Sequence, residues 1–157
     1  MRFKVIPTFV ALGLVAGFVA LTLSLSAGAA SVSASSAQSG QLHATKECSE
    51  YTGLPGGFCT FTSSNLEQIG VGSKVYYDQM PGIPAGLLDS NVVLDAGSGN
   101  RAVGRCTLDL GTGLGLCTFS DGTGQFTGFT ARVDVVCPPG PSCSWDGTYK
   151  FNPQPPR

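Results

Sequence analysis

The stretch "CTFSDGTGQFTGF", residues 117–129, decides the fold of this chain, because its glycines admit two incompatible readings. Gly122, Gly124 and Gly128 could cradle a phosphate or could turn the chain between two strands. They run G-x-G-x-x-x-G, one residue longer than the dinucleotide fingerprint, and that fingerprint must open a helix. The chain instead continues as "FTARVDVVC", residues 129–137, which alternates apolar and polar side chains with the period of a strand. The stretch therefore reads as a strand carrying Cys117, a glycine-rich turn, and entry to the next strand at Phe126.

The same pattern extends outward in both directions. Short runs rich in Val, Thr, Tyr and Phe recur between Gly, Pro and Asn clusters, which is the signature of an all-β sandwich or barrel. The last two runs place Phe129, Ala131, Val133, Val135 and Cys137 on one face, and Trp145, Gly147, Tyr149 and Phe151 on the matching face. Other expected strands are "FCTFTSS", "SKVYYDQ", "GLLDSNVVLD", "RAVGRCTLDL" and "GLCTFS", with "AGSGN" as a hairpin loop. Short links imply antiparallel pairing. "SSNLEQIG", residues 63–70, is the one candidate helical turn.

Six cysteines fix the compartment and much of the register. Both "CSEYTGLPGGFC" and "CTLDLGTGLGLC" centre a glycine-rich turn between their cysteines, so folding each as a hairpin sets its two sulfurs opposite each other. "CPPGPSC" is a shorter, proline-stiffened loop with its ends brought together. The expected disulfides are Cys48–Cys59, Cys106–Cys117 and Cys137–Cys143. A zinc site is the competing use of these residues, but the spacings lack close C-x2-C pairs and His43 stands alone. No metal and no cofactor is expected.

Residues 1–29 have the layout of a signal peptide: Arg2 and Lys4, an apolar run from Val5 to about Leu25, then small residues. Ala27-Gly28-Ala29 offers a cleavage site, and a cut after Ala37 would serve nearly as well. An uncleaved membrane anchor is the alternative, since the run is roughly 20 residues long; Pro7, Gly13 and Gly17 favour cleavage. Residues 30–44, rich in Ser, Ala and Gln, read as a disordered lead-in, residues 45–152 as one barrel domain, and 153–157 as a tail. The chain carries nine basic and ten acidic residues, and removing 1–29 removes two basic ones, leaving a net charge of about −3. That balance argues against nucleic acid as a partner. A secreted product with no stable membrane insertion after signal removal is expected.

A family likeness enters on three stretches. "DGTGQFTGFTARV", residues 121–133, resembles the Gly-Thr-Gly-x-Phe-x-Gly-Ala turn and strand of the allene oxide cyclase and dirigent superfamily. "RAVGRC", residues 101–106, is similar to a dirigent strand, and "SWDGTYKF" to the final strand of secreted, actinobacterial-type allene-oxide-cyclase-like proteins. The likeness spans Tyr76 to Phe151. It implies a closed or nearly closed antiparallel barrel of about eight strands with a central cavity, in a family whose plant members cyclise an epoxide or steer radical coupling and are commonly trimers. No catalytic Glu or Asp of those relatives maps onto a position here, and the three local disulfides belong to neither plant pattern. Fold carries over better than activity.

The chemistry left to the chain is narrow. With no His after His43 and every cysteine bridged, hydrolytic triads and thiolate nucleophiles are excluded. Two polar sets remain. With Cys137 opposite Cys143, Asp134 faces Asp146, an acid/base pair if that face looks into the barrel and a solvated charge face beside Arg132 and Lys150 if it looks outward. Asp89 and Asn91 share a second face that Tyr77 could join as a ligand-binding row. The leading functional expectation is a small apolar-ligand-binding or stable extracellular module. A barrel isomerase or cyclase and a surface protein-interaction module are the alternatives.

Overall fold

A computed structural model describes residues 38–152; the signal or anchor, the first part of the lead-in and the tail lie outside the described residues. Eight strands succeed one another: β1 (Ser39–Glu47), β2 (Phe58–Ser64), β3 (Lys74–Tyr77), β4 (Leu87–Asp95), β5 (Arg101–Asp109), β6 (Leu114–Thr123), β7 (Phe129–Val136) and β8 (Ser142–Phe151). Each pairs antiparallel with the next, and β1 pairs with β8, so the sheet is a closed barrel.

The alternation read from the sequence sets what fills it. Leu42 and Ala44 of β1, Phe61 of β2, Val92 and Leu94 of β4, Phe119 of β6, Val133 of β7 and Trp145 of β8 all point inward and are buried. Trp145 packs edge-on to Phe61 with centroids 5.0 Å apart, and Phe119 lies 5.5 Å from it. These three rings form an aromatic belt across the middle of the barrel. Such rings add edge-to-face attraction to the apolar area they bury.

The two ends differ. At one end Leu66 and Ile69, from the loop between β2 and β3, and Phe126, from a single 3-10 turn at Gly124–Phe126, are fully buried and plug the barrel. The other end carries the β1–β2, β3–β4, β5–β6 and β7–β8 connections and is not plugged. Three of those four hairpins hold a disulfide, in the expected pairs Cys48–Cys59, Cys106–Cys117 and Cys137–Cys143. Cys106 stands directly opposite Cys117 in the register, as the hairpin argument requires.

The glycine stretch belongs to the plugged end. A Cβ on Gly122 would run into Phe126 and the Arg101 carbonyl, so glycine is what allows the plug to seat. Two amides of this turn already have side-chain acceptors: Asp121 Oδ1 takes the Gly122 N–H at 2.7 Å, and Asn100 Oδ1 takes the Gln125 N–H at 3.0 Å. The next strand begins at Phe129, three residues beyond the expected Phe126, which sits in the plug.

Two further expectations are corrected. The lead-in read as disordered through residue 44 contains most of β1, which starts at Ser39, so the barrel begins earlier than residue 45. Its small and polar residues are held in the sheet by pairing with β8 from Ser39 opposite Lys150 to Glu47 opposite Ser142. Of residues 63–70, expected as a helical turn, Ser63 and Ser64 close β2 and the rest forms bends and a single turn in which the Ile69 N–H donates to the Leu66 carbonyl at 2.9 Å, with no helix. Asn65 works there as a strap, its Oδ1 accepting from the His43 N–H at 2.8 Å and its Nδ2 donating to the Gln41 carbonyl at 3.0 Å.

Candidate functional site

The register decides where the expected polar sets point. Asp134 does stand opposite Asp146, but both carboxylates lie on the outer wall. Asp146 meets His43 across the β1–β8 seam, with Oδ1 and Nδ1 2.6 Å apart and both side chains more than half exposed. The arrangement is the solvated charge face, away from the interior.

The second set is split. Tyr77 pairs with Val92, which faces inward, so Tyr77 is buried inside the barrel and does not join Asp89 and Asn91. Those two turn outward, where Arg105 donates to Asp89 Oδ2 at 2.7 Å and reaches Asn91 Oδ1 at 3.4 Å. Asn91 Nδ2 in turn donates to Asp78 Oδ2 at 2.9 Å. This side-chain bond, aided by Ser90, holds the Asp78 carboxyl below its usual range. The row is thus a mutually bonded network that ties β4 to the start of the β3–β4 loop.

What the interior holds instead is a pocket at the unplugged end. Its volume is about 230 Å³, and its wall is almost wholly apolar, including Leu88, Leu108, Val135, Pro81 and all three disulfides. Larger hollows, such as one of about 550 Å³ across β1, β7 and β8, are open grooves on the outer wall. Around the pocket mouth the surface is apolar too. Of the nine large hydrophobic side chains left exposed among the described residues, seven belong to this end, Leu54, Ile83, Leu110 and Leu114 among them. Exposed apolar groups concentrated at a pocket mouth point to a surface that is covered in use.

Lys46, Tyr51 and Tyr77 bring polar atoms to this pocket. Lys46, on β1, is only 3% exposed. It lies between Cys143 of β8 and Phe61 of β2 in the register. It faces inward through the alternation of Leu42, Ala44 and Lys46 along β1, and a bulge in β2, where Thr62 and Ser63 both meet Thr45, keeps its partner Phe61 on the inward face as well. Lys46 Nζ donates to Tyr77 Oη at 2.5 Å and sits 4.8 Å from the centre of the Trp145 ring. Among the described residues it has no carboxylate partner. Burial alone lowers its pKa from 10.5 to about 7, because the charged form is deprived of water. Burial, with Tyr51 nearby, pushes the Tyr77 hydroxyl upward, so it stays protonated. Tyr51 packs edge-on against Tyr77 at 5.3 Å and lines the same pocket, and its hydroxyl has no hydrogen-bond partner among the described residues.

Lys46 and Tyr51 were missed in the sequence. The signal was present in "LHATK", residues 42–46, where Leu42, Ala44 and Lys46 alternate, but it becomes readable only once the segment is accepted as a strand. A lysine on the inward face of a strand is rare enough to mark a site.

Fold and pocket together define a class: a small closed antiparallel barrel, stapled by disulfides at one end, with an apolar pocket entered there and an amine–phenol pair inside it. No family model matches the chain, and no curated protein or solved structure matches it significantly. The closed eight-stranded antiparallel barrel with three disulfides expected from the sequence is the fold observed.

Proposed function

We propose that this chain is a secreted barrel that binds a small apolar molecule carrying one polar group, with the apolar part in the disulfide-walled pocket and the polar group at Lys46 and Tyr77. The carrying observation is the contrast within one cavity: an apolar wall and, inside it, a buried amine with no counter-charge among the described residues. A site of this kind takes a ligand by apolar burial and orients it by one or two polar contacts. Its volume of about 230 Å³ is below the roughly 300–1,000 Å³ of drug-sized sites, which suits a short aliphatic or monocyclic ligand. The three disulfides suit the oxidising surroundings of a secreted protein. Membership of the allene-oxide-cyclase-like group is part of this reading, supported by the barrel and the "DGTGQFTGF" turn.

The test is binding of 1-octanol, an unreactive apolar probe, followed by calorimetry and by the emission of Trp145, the only tryptophan of the chain. Saturable binding that is lost in a folded Leu88→Trp variant, whose indole would fill the pocket, is the expected result. Absence of saturable binding, or binding that Leu88→Trp leaves intact, overturns the reading.

A second reading, an isomerase or cyclase, is favoured by one observation: Lys46 and Tyr77 offer a base and an acid in contact, inside a cavity. On this reading they take the place of the outward Asp134 and Asp146. Proton exchange into a bound ketone, slowed at least tenfold in Tyr77→Phe, would support it.

A further inference from the structure

We propose that Lys46 captures small apolar aldehydes covalently, as a reversible imine formed inside the barrel. The proposal rests on the pocket reading above and adds a chemical class to its ligand. Three features of the structure converge on it. Lys46 is the basic side chain among the pocket's lining, it is buried at the unplugged end, and no carboxylate among the described residues holds it as an ammonium. A pocket of this polarity excludes the water that would hydrolyse an imine at the surface. The Tyr77 hydroxyl oxygen accepts from the same nitrogen and so lies within proton-transfer reach of it.

The reaction balances without an outside reagent. The lone pair of the neutral Lys46 amine adds to the aldehyde carbon, and the carbonyl π pair moves to oxygen. That oxygen takes the Tyr77 phenolic proton, while the nitrogen returns a proton to the phenolate, giving a carbinolamine. Tyr77 then protonates the hydroxyl, which leaves as water; the nitrogen lone pair closes the C=N bond, and the remaining N–H proton restores the phenol. One amine and one aldehyde become one imine and one water. The amine is reactive near neutral pH because burial, which lowers its pKa to about 7, keeps much of it unprotonated there.

The alternative for a buried lysine is a purely structural one, in which its stem fills space and its nitrogen only bonds Tyr77. The two readings differ in reactivity. Full-length protein is incubated at pH 7 with limiting octanal and cyanoborohydride, and the alkylated lysines are mapped by peptide mass spectrometry. Lys46 is expected to be alkylated at least tenfold faster than Lys74 and Lys150, which face outward, with the preference lost in urea. Lys46→Met should abolish the adduct at that position; if that variant does not fold, the wild-type map decides alone. Labelling of Lys74 and Lys150 at rates equal to or above Lys46 overturns the proposal. Binding of 1-octanol without trapping of octanal overturns the imine and leaves the apolar pocket standing, whereas failure of both probes overturns both readings.

Discussion

Burying Lys46 carries an electrostatic cost that depends on pH. Its pKa is about 7 when folded and near 10.5 when unfolded, so between those values the unfolded chain binds more protons than the folded one. Stability then rises with pH across that window and is flat below it. A shift of this size corresponds to roughly 3–5 kcal/mol. Lys46→Met should therefore be more stable than the parent at pH 7, and its advantage should shrink as pH rises toward 10, because Met never carries the charge. Thermal unfolding of both proteins across that range is the check. A parent whose midpoint does not rise relative to the variant would show that Lys46 is solvated.

At the scale of the element, the loop between β3 and β4 is the weak side of the pocket mouth, the one hairpin of four without a disulfide. It is held by Ser90, whose buried hydroxyl accepts from the Asp78 N–H at 2.9 Å and the Gln79 N–H at 3.2 Å. Ser90→Ala removes that acceptor from both amides and should cost about 1–3 kcal/mol, seen as faster hydrogen exchange at residues 78–86 than elsewhere in the barrel. Asn91→Ala tests the pH side of the same clamp. The Asp78 carboxyl is held low by Asn91 and Ser90, so its stabilisation is present above the ordinary carboxylate range and is lost as pH falls through the folded value. The stability gap between parent and Asn91→Ala should accordingly narrow in acid. Equal gaps at pH 7 and pH 3 would dissociate Asp78 from the clamp.

These elements also show what could be read beforehand. The disulfide hairpins and the β7–β8 register were legible because a turn and its flanking alternation are local, so Cys106 opposite Cys117 follows from the residues between them. β1 was not, because its one local signal, the alternation of Leu42, Ala44 and Lys46, is short and follows a Ser- and Ala-rich run; its long pairing is with β8, about a hundred positions away. Lys46, whose inward direction follows only from β1, is not marked by the sequence, whereas Asp134, Asp146, Asp89 and Asn91 stand out there through the polarity that outward faces carry. Tyr77 reads from the sequence as a neighbour of Asp89 and Asn91, because only its pairing with Val92 fixes the direction of β3.

For the whole molecule, the disulfides are unevenly spread: all three lie toward the open end, while the other is secured by the apolar plug. In a chain-entropy account each short loop is worth about 2–3 kcal/mol. Cys106→Ala together with Cys117→Ala should lose at least that much in denaturant unfolding and should weaken 1-octanol binding, since those sulfurs line the pocket. Gly122→Ala, which displaces Phe126 at the far end, should destabilise without changing affinity in the fraction that remains folded. A variant pair behaving the other way round would place the binding site elsewhere.

The seam between β1 and β8 has a consequence for company. Because the sheet returns to its own first strand, β1 and β8 pair with each other, and among the described residues the barrel leaves no open edge strand for an extended segment from a neighbour to zip onto. Donor-strand exchange and fibril-like stacking are thereby closed to the folded barrel. The apolar rim around the pocket mouth, by contrast, leaves Leu54, Ile83, Leu110 and Leu114 exposed as side chains.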